Sequence, residues 1–184
     1  MAMLAATTAR GELAALVDTF DMFDVESMAA AGVRLDRLLW VRGETSTAAF
    51  PPLTAGRRQP GADRAIERAL KATNLVLQAG GLSLVALDLA DAPVHALRRI
   101  PMMTWLRLQK ALEGQQAAAV VTGAAPMSRS AGGVTMEIKT GARDLALGAG
   151  SQFPAIESEV RIQRARLVPG MGAPVRLTAT ALVA

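Results

Sequence analysis

Asp88 closes an apolar run, Leu82 to Leu87, and is followed by the small-residue stretch Leu89-Ala90-Asp91. A carboxylate at the carboxyl end of a buried strand costs free energy unless it finds a partner or a metal. In nucleotide-binding α/β proteins that place holds a magnesium-bound water, which makes Asp88 the candidate metal residue. Such a site also needs a glycine-rich turn opening a helix, whose backbone N–H groups and lysine cradle phosphate. Lys71, Lys110 and Lys139 do not follow a G-x-x-x-x-G pattern. The sequence thus carries half of a nucleotide site.

Two further groups could do chemistry. Asp18, Asp21 and Asp24 fall within seven residues and could gather a divalent cation through oxygen ligands. The competing reading has Asp18 ending a strand and Asp24 capping a helix. Arg98, Arg99 and Arg129 lie in stretches expected to follow strands, where they could touch nucleic-acid phosphate or simply be solvated. Other chemistries find little support. One histidine, His95, and no cysteine exclude ordinary His/Cys zinc sites, and no G-x-S-x-G elbow is present. His95 reads as a loop residue.

These residues need a frame. Met1 to Ala9 reads as the end of a helix stopped at Arg10-Gly11, and Leu13 to Val17 as a buried strand closing on Asp18. Asp24 caps a short helix over Val25 to Ala31, ended by Gly32, and Leu38 to Val41 is the next strand. Three prolines and two glycines mark Glu44 to Gly61 as an exposed loop. Apolar residues at helical spacing run from Ala62 to Ala79, and Gly80-Gly81 stops that helix before the Asp88 strand. Pro101 opens a helix to Gly114 in which Met102, Met103 and Trp105 read as core, and Ala117 to Val121 is a fourth buried strand. Strands alternating with helices in this way imply a parallel sheet covered on both faces.

The last third changes period. Val134 to Ile138, Glu157 to Ala165 and Val175 to Val183 alternate apolar and polar residues, with a tight turn at Pro169-Gly170-Met171-Gly172. The expected architecture is an α/β domain spanning residues 1–184, a parallel sheet extended by antiparallel C-terminal strands. Its ligands would sit beyond the carboxyl ends of the parallel strands, where the loops from Asp18, Asp88 and Thr122 face one side.

Composition limits the function classes. With 184 residues, 51% of them hydrophobic and 20% charged, the chain can bury a sizeable core and is not disordered throughout. No apolar run reaches the roughly 20 residues of a membrane span, and Met1 to Ala9 lacks the pattern of a secretion signal, so a cytoplasmic location is expected. A net charge of +4 favours polyanionic partners, yet aromatics at 3% argue against base stacking on aromatic platforms as the main mode.

The order of elements and several motifs resemble the ATP-binding core of the RecA recombinase family, most closely its shortened ImuA-type relatives. The stretches that carry the likeness are Ala15 to Asp24, Ala31-Gly-Val-Arg-Leu-Asp-Arg-Leu-Leu-Trp40, Leu84-Val-Ala-Leu-Asp88, Ser130-Ala-Gly-Gly133 and Val160 to Gly170. The resemblance implies a P-loop NTPase core in which Asp88 holds the magnesium water and Asp24 lies near the adenine. The strand and phosphate loop that precede the first helix are missing and are expected upstream of Met1. Phe20 stands where the family's catalytic glutamate falls, and Thr122-Gly123 replaces its asparagine-glutamine sensor. The second DNA-binding loop is cut to Gly123–Gly132. The function implied by the resemblance is that of a DNA repair and recombination accessory of the SOS, or DNA damage, response. It would act through single-stranded DNA or through repair and translesion polymerase proteins, with little or no ATPase activity. The alternative is the C-terminal portion of an active DNA-dependent ATPase, with ATP and magnesium bound once a phosphate loop is supplied.

Overall fold

The computed structural model describes residues 1–43, 60–127, 133–140, 156–165 and 175–179. They fall into two compact units, Met1–Arg129 and Ser130–Ala184. The first unit holds α1 (Ala2–Ala9), β1 (Ala14–Asp18), α2 (Val25–Ala30), a 3₁₀ turn at Leu35–Arg37 and β2 (Leu38–Arg42). It continues with α3 (Pro60–Ala79), β3 (Leu84–Leu89), α4 (Val94–Leu97), α5 (Met102–Leu112) and β4 (Ala118–Gly123). All four strands are parallel, in the order β2-β1-β3-β4.

The alternation of side chains along β1 and β3 divides the core in two. Ala15 and Val17 of β1 join Val85, Leu87 and Leu89 of β3 under α3 and α5, with Ile66, Leu77 and Trp105 facing them. Ala14, Leu16 and Leu84 point the other way, against Leu4 of α1 and Met28 of α2. Central strands covered on both faces read as unbroken apolar runs, which is why these two were evident from sequence. Thr8, fully buried, ties α1 to the turn after α2: its hydroxyl donates to the Leu4 carbonyl (2.9 Å) and accepts from the Arg34 N–H (3.0 Å).

Several expectations do not hold in the fold. β4 is not a buried strand: Ala118, Ala119 and Val121 are exposed although their types are those of a covered strand. The reason is position, since among the described residues β4 pairs only with β3 and α5 packs on α3. Met102 and Met103 are not core; both are exposed, and α5 turns Trp105 and Leu108 inward instead. His95 lies in the short helix α4 rather than in a loop. The expected loop over 44–61 falls outside the described residues except for Pro60 and Gly61, which open α3.

In the second unit β5 (Val134–Thr140), β6 (Ile156–Ala165) and β7 (Val175–Ala179) form an antiparallel sheet in the order β5-β6-β7. A register shift interrupts the β5 and β6 pairing at Thr135/Met136. Among the described residues the three C-terminal strands pair with one another and not with the parallel sheet, so the expected extension is a second small sheet. The turn expected at 169–172 lies outside the described residues.

Candidate functional site at the carboxyl edge of the parallel sheet

Parallel pairing in register lines up the strand ends. Asp18 is the pairing partner of Arg42 on one side and of Asp88 on the other, and Asp88 pairs with Thr122. The row Arg42, Asp18, Asp88, Thr122 therefore crosses the carboxyl edge of the sheet, where open α/β folds place ligands.

Asp88 is half-buried. Its Oδ1 accepts from the Thr122 hydroxyl (2.7 Å) and from the Ala90 N–H (2.9 Å). The carboxylate thus finds two partners at the strand end, Thr122 and Ala90. Its other oxygen is left to meet solvent or a ligand. Thr122 reaches Asp88 because β4 carries it to the adjacent strand end, a pairing that the sequence did not reveal.

The three aspartates of the first loop do not converge on a cation. Asp18, 2% exposed, accepts from the backbone N–H groups of Met22 and Phe23 (3.0 Å each) and from the Trp40 indole N–H (3.3 Å). Its carboxylate folds the chain beyond β1 back onto the strand end. Asp21, at φ 55°, takes the Arg42 guanidinium on both oxygens (2.7 and 2.8 Å), and that guanidinium lies 4.6 Å from the centre of the Trp40 ring. Asp24 caps α2 through the N–H groups of Glu26 and Ser27 and the Ser27 hydroxyl. The Ser27 hydroxyl, with the backbone N–H groups, holds the Asp24 carboxyl below its ordinary pKa. Among the described residues no group of three or more His, Asp or Glu side chains could hold a metal ion.

Gly43 explains how β2 ends. Its N–H donates to the Asp18 carbonyl (2.7 Å), and a Cβ there would strike the Thr19 carbonyl oxygen. Only glycine lets the chain pass so close to the residues beyond β1.

Phe20 is buried in the core cluster under α3 and α5. It therefore packs inside and does not reach the carboxyl edge. Of the Asp88 carboxylate only Oδ1 is bonded among the described residues, whereas both oxygens of Asp18 accept hydrogen bonds.

The arginines have different surroundings. Arg99 lies 3.7 Å from Asp63 of α3. Arg98 is exposed, forms no ion pair among the described residues, and borders a cleft of about 680 Å³ between the start of α5 and the chain after β4. Arg129 lies outside the described residues, as do positions 128–132 of the loop expected over 123–132. No described helix is long and apolar enough to cross a membrane. No protein-family model matches the chain, and no curated protein resembles it significantly.

Proposed function

We propose that this chain is a RecA-like accessory protein of DNA repair, resembling the ImuA type, that binds single-stranded DNA and partner proteins and turns over little or no ATP. The observation that carries the reading is the row at the carboxyl edge: a nucleotide-type aspartate, Asp88, bonded to Thr122, beside a first loop whose Phe20 is packed in the core. That arrangement keeps the place of a nucleotide site without a group to activate water. A basic chain with exposed Arg98 near the same edge suits phosphate contacts.

Equilibrium binding of a fluorescent single-stranded oligonucleotide across a salt series tests this. The expected result is binding at low ionic strength that weakens linearly in log–log form as salt rises, with Arg98→Ala weaker than the parent. No binding at low salt would overturn it.

A second reading is favoured by one feature, the open edge of β4. A phosphate loop must approach the magnesium held by Asp88, and β4 is the free edge beside the Asp88 strand among the described residues. α1 packs against β1 and is joined to it by a short turn. In this reading a strand bearing G-x-x-x-x-G-K-S/T joins β4 and completes an ATPase. Binding of a magnesium ATP analogue only by a chain extended with such a segment supports it, and no binding by the extended chain removes it.

A further inference from the structure

The layer formed by α3, α4 and α5 carries a charge that its own residues do not balance. From Pro60 to Ala79 and from Val94 to Glu113 there are seven Lys and Arg against three Asp and Glu. Ala2 to Arg42, which supplies the helices of the other face, has four against six. The acids of α3 are already engaged, Glu67 by Lys71 (2.8 Å) and Asp63 by Arg99 (3.7 Å). Arg107 and Lys110 of α5 are exposed and form no ion pair among the described residues.

α5 turns a second feature the same way. Trp105 and Leu108 face the core, so positions 103, 106, 107 and 110, spaced three and four apart, share the opposite side of the helix. That side presents Met103 (59% exposed) and Leu106 (37%) together with Arg107 and Lys110. An apolar residue alone on a surface is ordinary, but two on one stripe with two cations make an amphipathic surface outside the core. The surface is preformed, because α3 and α5 are tied at both ends. Arg99 meets Asp63 at one end, and the Gln115 side-chain amide donates to the Leu77 carbonyl (2.8 Å) at the other.

The chemistry selects the occupant. A nucleic-acid backbone would use the cations and leave Met103 and Leu106 against charged phosphate. An anionic bilayer calls for bulky or aromatic side chains that reach the acyl boundary, and the one aromatic residue of α5, Trp105, is turned inward. A polypeptide that alternates carboxylates with apolar side chains matches both features at once. Methionine adapts to the shape of such side chains. The stripe from Met103 to Lys110 covers two turns, about 10 Å, which a short amphipathic helix can follow.

We propose that the outward stripe of α5 docks an acidic amphipathic segment of a partner protein, its apolar side chains on Met103 and Leu106 and its carboxylates on Arg107 and Lys110. The proposal rests on the partner-binding half of the function proposed above, and it names the surface and the class of segment that the surface takes.

Fluorescence anisotropy of three labelled peptides with the 184-residue chain tests this. The first is a helical peptide with leucines at i, i+3, i+4 and i+7 and glutamates between them, the second is its scrambled version, and the third carries lysines in place of the glutamates. The expected result is that the first binds at least about tenfold tighter than either control. Met103→Ser with Leu106→Ser, at exposed positions that leave the core intact, should weaken that binding about tenfold and leave binding of a single-stranded oligonucleotide unchanged. Arg107→Glu with Lys110→Glu should reverse the preference in favour of the lysine peptide. Equal binding of the scrambled peptide, or no effect of either pair of substitutions, overturns the docking stripe while single-strand binding stands. Binding to phosphatidylserine vesicles without any preference among the peptides overturns it in favour of a lipid surface. Loss of oligonucleotide binding with the peptide preference intact supports the stripe and removes only the single-strand half of the proposed function.

Discussion

Two aspartates a few residues apart do different structural work at the carboxyl edge. Asp18 satisfies three N–H groups from inside the fold, whereas Asp24 caps α2 from the surface. Asp18→Ala leaves those donors without their charged acceptor and should cost about 3 kcal/mol by urea denaturation. Asp24 enters through pH. Its folded-state pKa lies below the ordinary aspartate value, so its contribution is complete above that ordinary value and is lost as pH falls through the lower, folded one. A urea series from neutral to acid pH should show Asp24→Ala less stable than the parent at neutral pH, with the gap closing on acidification. A gap independent of pH would contradict the assignment. The cap was legible from Asp24 standing before a short apolar segment. The Trp40 bond of Asp18 was not, because Trp40 stands 22 positions away and is brought near only by β2 pairing.

At the scale of elements, the sequence disclosed what is covered on both sides and misjudged what lies at an edge. β1 and β3 are continuous apolar runs because helices cover both their faces. Ala118-Ala119-Val120-Val121 has the same character but sits at an open edge, and strand composition cannot distinguish the two. The same limit applies to α5. Its apolar residues run around more of the helix than one stripe, and packing into the core shared by α3 and β3 decides that Trp105 and Leu108 turn inward while Met103 and Leu106 stay exposed. These positions separate by mutation. Leu87→Ala, at a site 1% exposed, should cost about 2–5 kcal/mol. Val121→Lys on β4 should change stability by only about 0.5 kcal/mol or less in the same urea assay, as surface substitutions do. A large loss from Val121→Lys would mean that the β4 edge is covered.

For the whole molecule, the alternation of strands and helices foretold the parallel sheet, and the change to a period of two foretold the antiparallel strands. Their separation into a second sheet depends on pairing partners that no local pattern encodes. The proposed function takes Asp88, bonded to Thr122, as the remnant of a nucleotide site beside a Phe20 that packs in the core. The most direct test is steady-state ATP hydrolysis by the 184-residue chain with magnesium, in the absence and presence of single-stranded DNA. The account predicts no turnover above background in either case under conditions where the chain binds the DNA. Steady hydrolysis that the DNA stimulates and that Asp88→Asn abolishes would contradict it, and would show that this chain builds an active ATP site.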